Sequence, residues 1–165
     1  MISGIGDIFP GPYFSWYPLP ETATNIRHGM DDLKAYIAEN GPYDGAIGFS
    51  QGAQVLIGLM LEHQSLHPFE PALFQVAIFF SGVIPQEQRE LVAKGLKIRV
   101  PTAHIIGGKK DFAYEGSVQL RDACHRDTRT EYEHGEGHCI PRKLELVVAI
   151  TNVIRKSIYR AIYRS

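Results

Sequence analysis

Apolar residues recur along this chain in two alternating rhythms. From Thr22 or Thr24 to Glu39, the stripe Ile26, Met30, Leu33 and Ile37 keeps to a 3.6-residue period, and Asn40-Gly41-Pro42 closes it. An amphipathic helix is predicted there. The period then shortens: residues 43–49 read as a strand, and Val55, Leu56, Leu59 and Met60 restore the helical rhythm, which fades between His63 and His67. Residues 72–80 are a nearly continuous apolar run, as in a strand buried on both faces. A helical stretch at 86–95, a strand at 102–106, a helix at 116–125, a strand at 128–133 and a long helix at 142–163 complete the alternation. In that last helix Leu144, Val147, Val148, Ile154, Ile158 and Ile162 are predicted to face the core. Alternating β and α elements imply an α/β fold with a mostly parallel, doubly wound sheet. Residues 1–20 break the pattern. Pro10, Pro12, Pro18 and Pro20 interleave with Phe9, Tyr13, Phe14, Trp16 and Tyr17. That mixture blocks regular structure yet needs burial, so a packed loop is expected, serving as a lid or as the wall of an apolar pocket.

Chemistry enters where a predicted strand meets a predicted helix, at Gly48-Phe49-Ser50-Gln51-Gly52. A G-x-S-x-G pentapeptide in that context is the pattern of a nucleophile elbow, in which a strained turn exposes the serine hydroxyl above a helix N-terminus. The N–H of Gln51 would then face an oxyanion, with the helix dipole favouring negative charge. In an α/β-hydrolase such a serine is followed in the chain by an acid and then by a histidine, each after a later strand. Asp111 follows the strand at 102–106 and two glycines, and His138 lies in a glycine-rich turn after the strand at 128–133. Asp44 and Glu136 are weaker candidates for the acid, and His134 is the rival for the base. Pro141 is expected in the first turn of the final helix.

These segments carry a family resemblance. Residues 41–53 (GPYDGAIGFSQGA), 101–111 (PTAHIIGGKKD) and 137–141 (GHCIP) resemble the fungal FSH-type serine hydrolases of the α/β-hydrolase superfamily. The resemblance implies Ser50 as nucleophile, Asp111 as orienting acid, His138 as general base and Gln51 as an oxyanion donor. It further implies an esterase or thioesterase, without metal or organic cofactor, that releases an acyl chain, as relatives accompanying polyketide synthases do. The substrate would be an ester or thioester, free or carrier-protein-bound. Alternatives are a short-chain carboxylesterase and a weakly active member with an interaction role. Family members begin with a strand ending in a His-Gly loop, which has no counterpart ahead of residue 41. The strand at 43–49 is therefore expected at a sheet edge, lacking the family's N-terminal strands, with self-association and reduced turnover as consequences.

Composition narrows the classes. The 165 residues form one expected serine-hydrolase domain, 1–165, with 44% hydrophobic and 21% charged residues and a formal charge of −1. Without a continuous basic field, nucleic acid is not an expected partner. No apolar run reads as a membrane span or signal peptide, and Cys124 and Cys139 are too few for a disulfide framework, so a cytoplasmic location is expected. Arg155, Lys156, Arg160 and Arg164 cluster on the last helix, where the helix dipole suits them. Cys139 reads as a small hydrophobe. His63 and His67 share a helix face but lack a third metal ligand. Gly107-Gly108-Lys109-Lys110 lacks the spacing of a phosphate loop.

Overall fold

The computed structural model describes residues 14–163 of the chain. Helices and strands alternate through them: α1 (Ala23–Asn40), β1 (Gly45–Phe49), α2 (Gln51–Leu66), β2 (Val76–Phe80), α3 (Gln86–Ala93), β3 (Thr102–Ile106), α4 (Tyr114–Asp122), β4 (Arg129–Glu133) and α5 (Leu144–Ile162). Thr22 caps α1, its hydroxyl accepting from the Asn25 N–H at 3.2 Å. The apolar run at 72–80 is strand only from Val76 onward. Its first four residues are a loop that already pairs once, the Gln75 N–H donating to the Asp44 carbonyl at 2.8 Å. Pro141 lies ahead of Lys143, the N-cap of α5, and so stands outside the first turn where the sequence placed it.

The four strands run parallel in the order β1-β2-β3-β4. β2 and β3 are buried at every position, as the unbroken apolar sequence of β2 requires, while β3 buries Thr102 and His104 among its apolar residues. On one face Ala77 and Phe79 pack with Ala53, Leu56, Ile57, Met60 and Leu61 of α2 and Leu120 of α4. On the other, Val76, Ile78, Phe80, Ala103 and Ile105 pack against α5. A short polar chain pins α5 to the sheet: the Thr130 and Ser157 hydroxyls lie 2.7 Å apart, and Ser157 donates to the Thr102 carbonyl at 2.9 Å. Both hydroxyls are buried, so their mutual satisfaction removes a desolvation cost.

The core stripe of α5 differs from the one read in sequence. Ile150, Val153, Ile154, Ile158 and Ala161 meet the sheet, whereas Leu144, Val147, Val148 and Ile162 are exposed. The reason lies in the sheet. α5 packs on β2, β3 and β4 through one stripe, and these four apolar positions lie beside that stripe, where no described element covers them. Among the described residues β1 is hydrogen-bonded to β2 alone, and Ile47, in register with buried Ile78, is 68% exposed. No helix of the described residues is long and apolar enough to cross a membrane. The proline- and aromatic-rich stretch enters the description at Phe14, and the expectations on Phe9, Pro10, Pro12 and Tyr13 fall outside the described residues.

This asymmetry is measurable. Ile105→Ala, on the covered face, is expected to cost about 2–5 kcal/mol, whereas Ile47→Ala should stay within about 0.5 kcal/mol. Urea unfolding of the two variants checks the contrast, and comparable losses would place β1 beneath a covering element.

Candidate active site

Three connections after strands β1, β3 and β4 meet above the carboxyl edge of the sheet. The first is the turn from β1 into α2. Ser50 adopts φ 53° and ψ −116°, a left-handed conformation uncommon for a non-glycine residue. Its N–H still pairs with the Phe80 carbonyl at 3.0 Å, while its own carbonyl accepts the Gln54 N–H at 3.0 Å. One residue therefore ends the strand and starts the helix. Gly48 makes the reversal possible, since a β-carbon there would lie 2.6 Å from Ala53 N and Cα. Gly52 faces a different neighbour from the strand that the motif suggests: its open side lies against the indole of Trp16. Tyr17 anchors that loop, buried with its hydroxyl between Gln54 and Glu21. Burial and the Glu21 carboxylate raise the Tyr17 pKa, which keeps the phenol protonated.

The second connection carries Asp111. After β3 the chain turns through Gly107 and left-handed Gly108, and the Asp111 N–H donates to the Gly108 carbonyl at 2.8 Å. The carboxylate is shielded from solvent, and its Oδ1 accepts the Ala113 N–H at 2.8 Å. The third connection, after β4, carries His138. Its Nδ1 lies 2.8 Å from Asp111 Oδ1 and its Nε2 lies 2.9 Å from Ser50 Oγ. With hydrogen on Nδ1, the ring donates to the carboxylate and accepts from the serine hydroxyl. That arrangement can take a proton from serine as the oxygen attacks an electrophile. The Gln51 N–H opens α2, where the first turn leaves donors without helical acceptors.

The other sequence candidates lie elsewhere. Asp44 sits at the opposite end of β1 and accepts from Gln75 at 3.0 Å. Glu136 is paired with Lys143 at 2.5 Å. His134 is buried, and its Nδ1 accepts the Glu136 N–H at 3.2 Å rather than approaching Ser50. Its pKa is lowered, chiefly by burial. His63 and His67 bond to the Pro71 carbonyl and to Glu70, and no group of three or more His, Cys, Asp or Glu among the described residues could hold a metal. Cys124 is buried, with its thiol pushed up to about 12 by desolvation. Two site neighbours had no periodic signal to reveal them. Phe112 lies 4.1 Å from the His138 ring, centroid to centroid, while 85% exposed, and Phe49 approaches the same ring at 5.0 Å. Adjacency to Asp111 and Ser50 was the only clue in the sequence.

The chain belongs to the serine hydrolase (FSH1) family, whose pattern it matches over residues 6–150. It is 37% identical over 158 residues to Esterase FPY3 of Fusarium mangiferae, a match spanning 88% of this chain and 71% of that protein. It is 32% identical over 143 residues to Hydrolase phiM of a fungal species, spanning 82% of this chain and 68% of that one. The crystal structure of esterase PE8 superimposes with a TM-score of 0.60 at 22% identity, covering 86% of this chain and 70% of that one, a likeness of fold. The fold is thus that of an α/β-hydrolase, and the family is one of serine hydrolases.

A fluorophosphonate probe is expected to label the chain at Ser50, with labelling abolished in Ser50→Ala and His138→Ala. Asp111→Asn, which misdirects the imidazole tautomer, should lower the labelling rate by about 10⁴-fold. Peptide mapping of the labelled protein checks the site, and a labelled Ser50→Ala variant would move the nucleophile elsewhere.

Proposed function

We propose that this chain hydrolyses an ester or thioester of an apolar acyl chain through a covalent acyl-serine. The reading rests on the unbroken contact from Ser50 Oγ to His138 Nε2 at 2.9 Å and from His138 Nδ1 to Asp111 Oδ1 at 2.8 Å. As Ser50 Oγ bonds to the carbonyl carbon, His138 Nε2 takes the hydroxyl proton, and Asp111 holds the imidazolium that forms. The carbonyl π electrons move to its oxygen, which the Gln51 N–H stabilises at the positive end of α2. When the tetrahedral centre collapses, the C–O or C–S bond breaks and the leaving group takes the proton from His138. Water then repeats the sequence, releasing the carboxylic acid and restoring Ser50. Every step uses side chains and backbone of the chain itself.

The apolar acyl group is supported by what surrounds the triad. Phe112 packs on His138, Ile140 follows it by two residues and is exposed, and the half-exposed Trp16 indole flanks Gly52 beside the elbow. Pockets for acyl chains are lined in this way. We extend the reading to fungal secondary metabolism, with a polyketide acyl group, carrier-bound or free, released in the cytoplasm; the fungal relatives named esterase and hydrolase support its hydrolytic chemistry. The edge of β1 that no other described strand pairs with, without charge or proline and with Ile47 exposed, supports pairing with a second copy of the chain. Light scattering should then show association that Ile47→Lys suppresses, and a monodisperse wild-type chain would count against it.

Substrate series test the acyl assignment. Thioesters of long acyl chains should be turned over faster than amides of the same chains, because a thiolate leaves readily. Ile140→Ser should raise KM for a long-chain thioester by up to about tenfold, the worth of roughly 1.5 kcal/mol of apolar burial, and leave an acetyl thioester nearly unchanged. Equal effects on the two chain lengths would remove Ile140 from the acyl site.

A further inference from the structure

His134 is the conspicuous titratable group that the triad leaves unused. It is buried at the end of β4, only four residues from the base, and its backbone N–H donates to the Ile106 carbonyl at 3.0 Å. The main chain at His134 is therefore an extension of the sheet. Beyond it the turn has little intrinsic order: Gly135 and Gly137 both adopt left-handed conformations, at φ 71° and 84°, and they flank Glu136. Such a Gly-Glu-Gly segment has wide conformational freedom in isolation. Contacts from neighbouring groups fix it, three of them to residues that frame the turn. The Glu136 N–H turns back to His134 Nδ1 at 3.2 Å, the Glu136 carboxylate meets Lys143 at 2.5 Å, and the Gly137 N–H donates to the Gly107 carbonyl at 2.9 Å. The next residue is His138.

We propose that His134 is a positioning residue for the catalytic base: its neutral ring, with hydrogen on Nε2, clamps the 134–138 turn through the Nδ1 acceptor and so aims His138 at Ser50. The inference rests on the serine-hydrolase mechanism proposed above. An imidazole can accept at Nδ1 only while that nitrogen is unprotonated. The surroundings bear on this directly. Glu133 at the end of β4, Glu136 in the turn and Asp111 from the β3–α4 connection all favour an imidazolium, with Lys110 packed beside Gly137 and Lys143 drawing the Glu136 charge outward. Desolvation outweighs the carboxylates and holds the ring below the ordinary histidine range. The acceptor is therefore present across the pH range in which His138 must also be neutral to act as a base.

The clamp is a matter of register, because His138 has to satisfy two partners at once. A displacement of about 1 Å at the reacting atoms can cost on the order of 10² in rate. Removing the ring leaves the Glu136 N–H without its acceptor and frees the two glycines around it. Asparagine can place its Oδ1 close to the position of Nδ1, whereas alanine cannot.

The experiment compares His134→Ala and His134→Asn with the wild-type chain, using a thioester substrate and a fluorophosphonate, at temperatures below each variant's melting transition. His134→Ala is expected to lose about tenfold in kcat and in labelling rate, with KM changed less than about twofold. His134→Asn should recover most of that loss. An unimpaired His134→Ala, or equal losses in the two variants, would overturn the proposal. Nitrogen NMR of the histidines in a Ser50→Ala background provides a readout that needs no turnover and no substitution at 134. It should find the Nε2–H tautomer with Nδ1 as a hydrogen-bond acceptor, and an Nδ1–H tautomer or an imidazolium at neutral pH would overturn the proposal. A wild-type chain that neither labels nor hydrolyses would refute the mechanism itself, while the NMR result would still decide the state of His134.

Discussion

The close packing of Gly48 against the backbone of Ala53, where no β-carbon could fit, governs the rest of the site. Because residue 48 has no β-carbon, α2 can fold back over the end of β1 with its first turn against the strand. That contact forces Ser50 into its left-handed conformation, a strain of about 1–3 kcal/mol for a residue other than glycine. Hydrogen bonds on both sides of Ser50, to Phe80 and from Gln54, hold the strained turn in place. In return the hydroxyl stands clear of its own backbone, next to the N–H groups at the positive end of a sixteen-residue helix. A relaxed turn would bury the hydroxyl or misalign it.

The sheet supplies the remaining constraint. Parallel strands end at the same edge, so the connections after β1, β3 and β4 come together although Ser50 and His138 are 88 residues apart. Ligand sites of open α/β sheets lie at that edge for the same reason. The middle of the sheet is buried, with α5 on one face of β2 and β3 and with α2 over β2 and α4 over β3 on the other, and the connections rise from it on short glycine-containing turns. His104 shows what that interior does to an ionisable group. Stacked on Phe79 and cut off from water, it is pushed down to about 3 and serves as a neutral, packed ring. His138, by contrast, lies at the rim of the sheet between Asp111 and Ser50.

Much of this was legible in the sequence, because the features concerned are local. The elbow pentapeptide, the two glycines before Asp111 and the glycines around His138 each encode a backbone conformation that few other residues would permit, and their order along the chain matched one known arrangement. Helix and strand cores were legible from periodicity for a similar reason. What escaped depended on neighbours. The apolar positions of α5 repeat at a helical spacing whether or not a strand lies beneath them, so Leu144, Val147 and Val148 read as core although α5 lies over β2 to β4 and leaves them in solvent. Phe112 carries no pattern at all, and its value arises from the ring it touches. The choice between His134 and His138 turned on side-chain direction within a five-residue turn, which spacing alone does not determine.

The two histidines of that turn illustrate how environment divides roles between like residues. His138 has a carboxylate at 2.8 Å on one nitrogen and a hydroxyl at 2.9 Å on the other, partners that match the donor and acceptor of one tautomer. His134 has a backbone N–H on Nδ1 and, among the described residues, no partner on a buried Nε2, the pattern of the opposite tautomer. In the proposed mechanism one ring gains a proton during the reaction, and the other is stabilised as long as it does not. Linkage gives the second a thermodynamic signature. A histidine whose folded pKa is depressed contributes stability that is complete above its unfolded value near 6.5, and this declines as pH falls below that value, because the unfolded chain then binds the extra proton. Under the proposed positioning role, acid therefore weakens the turn that holds His138 against Ser50.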